Sequence, residues 1–236
     1  MIAIVTGAAQ GLGFAFANAL RDRGDVVVTC DVQDGCDEVV DVGQPWAMKA
    51  FVDGVVARYG RVDVLVANAG QCKVTNALDA FDDAVADYEA IVGTNLGGVY
   101  WAGRAVAPHM AANGSGHIVV ISTDHVLPTP GQPTGGGAHM DIYDASKWAL
   151  RGLEEAWSKS LARRGVRVNA LCMGATDSPM LRAFTGDRLT PEIEASWMRP
   201  EQIAEVLLAL IDEGDGGRSG EHIGLWVGHP VVLPER

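Results

Sequence analysis

Ile2-Ala3-Ile4-Val5-Thr6, running into Gly7-Ala8-Ala9-Gln10-Gly11-Leu12-Gly13, is the stretch on which the fold turns. The first five residues form a short apolar run, as expected of a parallel strand buried on both faces. Helical spacing follows from Phe14 to Arg23, with Phe16, Ala17 and Leu20 on one side. A strand, a glycine turn and a helix in that order give the glycines a mechanism. Gly7 permits the tight turn, Gly11 lets the backbone approach a pyrophosphate, and Gly13 lets the helix pack closely. The helix N-terminus offers free N–H groups and a positive dipole end to phosphates. Gly7, Gln10, Gly11, Leu12 and Gly13 are therefore candidate nucleotide-binding residues. Taken alone, the stretch also fits a strand-to-helix turn without a ligand.

Outward from this stretch, strands and helices alternate. Val26 to Cys30 reads as the second strand, with Asp31 at its end. An acid there accepts hydrogen bonds from both hydroxyls of an adenosine ribose and repels a 2′-phosphate. The glycine loop carries Gln10 and no Arg or Lys, so both features point to NAD rather than NADP. Only the residues Val32 to Val40 separate Asp31 from Asp41, fewer than the roughly 10–12 that a helical crossover needs, so a short loop replaces that helix. Glu38-Val39-Val40 is the expected third strand, and Asp41 and Val42 lie at its end near an adenine. A helix follows from Trp46 to Tyr59, with Phe51, Val55 and Val56 inward. Arg61 to Val66 is the fourth strand and leads into Asn68-Ala69-Gly70, small residues against which a cofactor can lie. Leu78 to about Asn113 is helical but interrupted at Gly93-Thr94-Asn95-Leu96-Gly97-Gly98. A polar Asn among glycines predicts a kink whose freed backbone groups can bind water. His117 to Ile121 is the fifth strand, ending in Ser122-Thr123-Asp124-His125, where ligands of an open parallel sheet bind. Val166 to Leu171, a helix from Pro200 to Ile211 and a last strand from His222 to Val227 complete the pattern.

Composition limits the classes of function. The chain has 236 residues, 48% hydrophobic and 20% charged, enough for one sizeable domain over 1–236. A net charge of −12 argues against a nucleic-acid surface. No apolar run reaches the length of a membrane span, and the N-terminus shows no secretory signal. Cys30, Cys36, Cys72 and Cys172 have no metal-ligand spacing and read as reduced thiols of a cytoplasmic protein.

The second informative stretch is Tyr143-Asp144-Ala145-Ser146-Lys147, at the head of a helical pattern that runs to about Arg164. Residues four apart share a helix face, which sets the Lys147 ammonium beside the Tyr143 phenol. A free phenol titrates near 10, and a neighbouring cation lowers that value toward the range of a useful acid–base group. Along the same helix Ala145, Ala149, Gly152 and Ala156 form a stripe of small residues, and Leu150, Leu153, Trp157 and Leu161 a stripe of large ones. One stripe can face the sheet while the other receives a second helix.

Taken together, Thr6 to Gly13, Asn68-Ala69-Gly70, Asn95, Tyr143 with Lys147, and Gly174 with Ser178 make the chain resemble the short-chain dehydrogenase/reductase family over essentially its whole length. The resemblance implies an α/β fold, a Rossmann-like doubly wound parallel sheet of about seven strands in a single domain. It implies an Asn–Ser–Tyr–Lys active site, with Asn95, Tyr143 and Lys147 in three of the roles. The serine position falls on Thr123, in a string that looks like the extended branch of the family, with Ser122 the poorer candidate. It also implies that Gly174, Thr176 and Ser178 join the cofactor site, and that the Tyr143 helix pairs between subunits in a homodimer or homotetramer. Two departures stand out: Met173-Gly174 replaces the usual Pro-Gly, and 127–140 is a longer Pro- and Gly-rich loop that is either a substrate wall, the favoured reading, or a surface excursion. Residues 177–199 are the expected lid, with Met180, Leu181, Phe184, Trp197 and Met198 giving it an apolar substrate face. Thr123, His125, His139 and Met180 are the candidate substrate contacts, and the tail from Gly228 to Arg236 is placed to reach a neighbouring subunit.

By the same resemblance, the substrate is an alcohol and its ketone. Tyr143 phenolate removes the hydroxyl proton as hydride leaves for NAD, Lys147 lowers the phenol pKa and holds the nicotinamide ribose, and Asn95 anchors a water. Two alternatives stay open. Asp124 and His125 can do acid–base work in a redox-neutral epimerase or dehydratase that keeps its NAD, or the protein can bind NAD without chemistry.

Overall fold

The computed structural model describes residues 1–128 and 139–236. Its first half comprises β1 (Ile2–Thr6), α1 (Gly11–Asp22), β2 (Val26–Asp31), β3 (Glu38–Val39), α2 (Pro45–Tyr59), β4 (Val64–Ala67) and α3 (Phe81–Val92). A π-helical turn (Gly93–Gly98) then leads into α4 (Val99–Asn113), β5 (Gly116–Thr123), α5 (Asp141–Leu161) and β6 (Val166–Met173). Two short helices, α6 (Pro179–Thr185) and α7 (Pro191–Ser196), precede α8 (Pro200–Asp212) and β7 (His222–Leu225).

The seven strands are all parallel, in the order β3-β2-β1-β4-β5-β6-β7. The chain winds outward from β1 in one direction and from β4 in the other, so the glycine loop leaves the sheet at the point where the winding reverses. That crevice, beyond the carboxyl ends of the strands, is where open parallel sheets bind ligands. Two apolar layers follow from the alternation of side chains along each strand. On β5, Ile118 and Val120 enter the layer that contains Phe51, Val55, Val106 and Leu150. Val119 and Ile121 enter the other, with Phe16, Leu20, Ile203 and Leu207. Among the described residues no helix is long and apolar enough to cross a membrane.

The expected elements are present, with shifted ends. No helix lies between β2 and β3, and β3 is reduced to two residues. β4 begins at Val64 rather than Arg61, because the Asp63 carboxylate is engaged by the Ile2 N–H at 2.7 Å and by Arg61 Nε at 2.5 Å. α3 begins after an Asn76–Asp79 turn, in which the Leu78 N–H donates to Asn76 Oδ1. α5 starts two residues before Tyr143 and ends at Leu161, beyond which the chain tightens into a 3₁₀ turn. Its stripe of large residues faces the sheet, with Leu150 fully buried and Leu153, Trp157 and Leu161 partly so. The small stripe of Ala145, Ala149, Gly152 and Ala156 is exposed. The C-terminal tail docks on its own body: Arg218 Nη2 donates to Pro234 O at 2.9 Å, and Val231 and Leu233 pack on the layer under α1 and α8. The four cysteines are free.

Candidate active site

The glycine loop has the geometry its sequence predicts. Gly7 and Gly11 have φ of 67° and 57°, the left-handed region that L side chains avoid. A Cβ on Gly13 would lie 2.1 Å from the Gly7 carbonyl oxygen, so α1 can approach the turn only with glycine there. Asn68 braces the loop: its Nδ2 donates to the Thr6 and Gly7 carbonyls at 3.0 and 2.9 Å. Its N–H and that of Ala69 both donate to Thr6 Oγ1 at 3.1 Å. The Asp31 carboxylate stands at the end of β2, where it accepts from Ala9 N at 3.1 Å and Gln33 N at 3.0 Å. Ser178 caps α6 by accepting from Leu181 N, and Ser178 and Pro179 roof Gly11 at 3.4 Å from where its Cβ would be. The groups that would hold a dinucleotide are therefore assembled: open backbone at a helix start, an acid at the neighbouring strand end and a polar roof. Val42 is buried against Gly98, while Asp41 is exposed and its carboxylate accepts from Gly43 N.

Asn95, Thr123, Tyr143 and Lys147 are brought together from the π turn, the end of β5 and the first turns of α5. The Thr123 hydroxyl lies on the Tyr143 side of β5 and donates to Asp124 Oδ1 at 3.3 Å, whereas the Ser122 hydroxyl lies on the Cys172 side. The alternation of the strand thus separates the two candidate hydroxyls and gives Thr123 the position facing the phenol. Lys147 is 5% exposed, and its Nζ donates to Ile121 O at 2.8 Å and lies 5.8 Å from the centre of the Tyr143 ring. Burial draws the Lys147 amine down to about 8. The Tyr143 phenol departs from expectation. Burial raises it above its ordinary value, the nearby Cys72, Asp144 and Asp124 add to the rise, and the neighbouring Thr123 hydroxyl opposes it. Without a ligand the phenol is protonated, because desolvation outweighs a cation this far from the ring.

Asn95 is fully buried. Its Oδ1 accepts from Gln71 N at 2.8 Å, and its Nδ2 donates to Gln71 O at 3.0 Å and Ser146 Oγ at 3.1 Å. Ser146 Oγ in turn donates to Tyr143 O at 2.6 Å, so the π turn and the first turns of α5 are locked together. A Cβ on Gly70 would lie 3.3 Å from Asn95 Oδ1 and 3.8 Å from Lys147 Nζ, which explains the glycine there. Gln71 and Ser146 are contributors that the sequence reading missed. Ser146 stood inside the Tyr–Lys stretch, and Gln71 directly follows Asn68-Ala69-Gly70.

The rim is more acidic than expected. His125 Nδ1 lies 2.7 Å from Asp144 Oδ1, and its ring meets the Tyr143 ring edge-on at 6.4 Å. The Asp144 hydrogen bond raises the His125 pKa against its burial, and burial raises the Asp124 carboxyl. Asp124 Oδ2 sits 2.8 Å from where a Cβ of Gly174 would be, so Gly174 is needed at the end of β6. Thr176 is buried, and its hydroxyl donates to Gly174 O. The lid root is closed by Asp177 N donating to Met198 O and Met198 N to Ala175 O. Trp197 and Met198 are buried at this root, so they support the lid rather than face a substrate, while Met180 on α6 is exposed. His139 is exposed, its carbonyl accepting from Thr75 N. The remainder of the expected substrate wall, 129–138, lies outside the described residues.

The family model described as short chain dehydrogenase matches residues 1–188. The cis-4-hydroxycyclohexanecarboxylate dehydrogenase of Sinomonas cyclohexanicum is 33% identical, over 90% of this chain and 89% of that one. A 3-oxoacyl-acyl-carrier-protein reductase of Thermotoga maritima is 29% identical over 95% of each chain. The structure of a 3-ketoacyl-(acyl-carrier-protein) reductase from Brucella melitensis complexed with NADH superposes with a TM-score of 0.80 at 25% identity, covering 96% and 97% of the two chains. A protein from Beutenbergia cavernae assigned as an NAD(P)-dependent gluconate 5-dehydrogenase, with bound NADP, gives 0.80 at 28% identity, covering 95% and 94%.

Proposed function

Because the chain belongs to the short-chain dehydrogenase family, whose members here are oxidoreductases of CH–OH groups, we propose that it is an NAD-dependent dehydrogenase of a secondary, apolar or cyclic alcohol with Tyr143 as its acid–base group. The observation that carries this reading is the convergence of Thr123, Tyr143, Lys147 and Asn95 beside the glycine loop. A nicotinamide cofactor, when bound, supplies the hydride acceptor for oxidation and the donor for reduction. The α1 N-terminus and the loop of Gly7, Gly11 and Gly13 would hold the pyrophosphate, and Asp31 would accept from the adenosine ribose hydroxyls. Thr123 and Tyr143 together bind the substrate oxygen. Tyr143 takes the hydroxyl proton in oxidation and returns it in reduction. Lys147 offers the positive charge that a phenolate needs and donates to the nicotinamide ribose. Both amide hydrogens of Asn95 are committed to Gln71 and Ser146. A water linking Lys147 to solvent would therefore have to be held by backbone carbonyls that the π turn frees.

Asp31 supports NAD, since its carboxylate would meet a 2′-phosphate with like charge. The name of the Sinomonas relative supports a cyclic secondary alcohol. The exposed small-residue stripe of α5 supports pairing of two such helices in a homodimer or homotetramer. The free thiols and the acidic charge suit a cytoplasmic enzyme.

The test is nucleotide reduction by a panel of secondary, cyclic and aromatic alcohols, with NAD and NADP run in parallel. Turnover is expected with NAD, rising with pH as the buried phenol gives up its proton. Tyr143→Phe is expected to lose about 10²–10⁴-fold. Turnover with NADP alone would overturn the reading of Asp31. Tight NAD binding with no turnover in either direction would overturn the dehydrogenase reading itself.

A further inference from the structure

α5 buries five side chains, Ser146, Lys147, Leu150, Glu154 and Ser158, and only Leu150 is apolar. A helix laid on a sheet ordinarily turns an apolar stripe toward it. Ser146 joins Asn95 to Tyr143, Lys147 belongs to the reacting cluster, and Ser158 Oγ donates to the Glu155 carbonyl within the helix. Glu154 has no such account. It is 1% exposed, and its Oε2 lies 2.8 Å from Nε2 of His222 at the start of β7. The two groups meet without the alignment of a hydrogen bond, and neither carboxylate oxygen is bonded by another described residue. A carboxylate buried in this way is costly unless a charge nearby compensates it. Lys147 is in the converse position, a buried ammonium with no ion pair among the described residues. It lies two helical turns before Glu154, about 10 Å along the same face.

We propose that Glu154 is a positioning residue of the active site: across two turns of α5 its carboxylate holds the positive charge of Lys147, and His222 holds the carboxylate. The proposal rests on the reading of Lys147 as the partner of Tyr143. Three groups oppose the effect of burial on Lys147, namely Cys172 on β6, Glu154 on α5 and Cys72 after β4. Burial pushes the Cys172 thiol up to about 12 and the Cys72 thiol up to about 11, so near neutral pH both are uncharged. Glu154 is the one of the three that can carry a negative charge there. Burial raises its own carboxyl, and His222 on β7, then Lys147 and Arg151 on α5, oppose that rise. The other groups beside Lys147 are the Ile121 carbonyl that accepts from its Nζ, the Tyr143 phenol, protonated without ligand, and the neutral amide of Asn95, none of them an anion. Removing the charge of Glu154 therefore leaves Lys147 with desolvation and no compensating anion.

The chain has four lysines, Lys49, Lys73, Lys147 and Lys159. Lysine-selective isotope labelling of the full-length protein consequently resolves the Lys147 titration by NMR. The expected result is a fall of about one pH unit in its midpoint in Glu154→Gln, the effect of a unit charge about 10 Å away at an effective dielectric near 20. Glu154→Asp should keep most of the wild-type value. His222→Gln, which weakens the hold on the carboxylate, should shift the midpoint in the same direction by less and provides a second route if Glu154→Gln does not fold. The rising limb of alcohol oxidation should move to higher pH by a similar amount in Glu154→Gln, in kcat more than in KM. An unmoved Lys147 midpoint in either folded variant would reduce Glu154 and His222 to a tie between α5 and β7. A wild type silent with every alcohol would sink the dehydrogenase reading, while the lysine titration would still judge this one.

Discussion

α1 and α5 both lie on the sheet and both open toward the candidate site, yet they bury opposite chemistry. The buried residues of α1 are Gly13, Ala15, Phe16, Ala17 and Leu20, while those of α5 are Ser146, Lys147, Leu150, Glu154 and Ser158. The difference follows from what each helix contributes. On the proposed function α1 would serve a ligand with backbone, through the N–H groups of its first turn and the absence of side chains at Gly11 and Gly13. Its side chains are left free to fill the core. α5 would serve with side chains, and its inner face gives up apolar contacts to carry a hydroxyl, an ammonium and a carboxylate. Stability is then supplied beside that face, by Leu150 and the partly buried Leu153, Trp157 and Leu161. Backbone function and core packing can occupy one helix without conflict, whereas side-chain function displaces packing.

Two substitutions test whether this division holds, and the larger effect belongs to α5. Lys147→Met removes a buried charge while keeping an unbranched chain of similar length. It should lower turnover by about 10²–10⁴-fold, the usual worth of a group in acid–base catalysis. It should cost less thermal stability than a core truncation does, because Met fills the same space, although it leaves Ile121 O without its donor and the buried Glu154 carboxylate without its compensating charge. Phe16→Ala on α1 should do the reverse. Phe16 is fully buried against β1, β2 and α8, so truncation costs about 3–5 kcal/mol. In a chain of this size that lowers the melting temperature by about 10 °C or more. Turnover per folded molecule and nucleotide affinity should change little. A Lys147→Met protein that melted far below wild type, or a Phe16→Ala protein that lost turnover while folded, would break the comparison.

The same contrast explains what the sequence made legible. Around α1, function depends on glycines at fixed spacing after an apolar strand, and spacing is visible in a sequence. The seven parallel strands, the missing helix before β3 and the interruption around Asn95 were readable for the same reason, since each is a local feature of pattern or length. Tyr143 and Lys147 were visible because four residues is a helical repeat. The burial of Lys147 and the desolvation of the phenol were not, and that desolvation is what keeps the phenol protonated. Contacts between distant segments were equally hidden. Gln71 clasps Asn95 across 24 positions, and His222 on β7 reaches Glu154 on α5. The lid shows the limit of composition as a guide: Trp197 and Met198 suggested a substrate face, but they anchor the lid root because backbone bonds at 175–177 draw them into the core.

The smallest expected effect lies at the outer side of α5, where Asp144 holds His125 at 2.7 Å beside the Tyr143 ring. This polar clasp has no counterpart on α1, and it sharpens the comparison by asking whether a rim contact contributes to stability at all. The Asp144 hydrogen bond is the largest cause raising the His125 pKa above its ordinary value near 6.5, with the charges of Asp144 and Asp124 adding and burial opposing. A group raised in the folded state binds its proton more tightly there than in the unfolded chain. Its contribution is therefore fully present below about pH 6.5 and is lost as pH rises through the raised value. The His125 side chain is 26% exposed, so solvent screens part of the interaction and the contribution should be at most about 1 kcal/mol. Thermal unfolding of wild type and His125→Asn at pH 6 and pH 9 measures it. The stability difference should be larger at pH 6 and shrink toward pH 9. A difference that grew with pH would mean that His125 is held neutral and serves the site by shape alone.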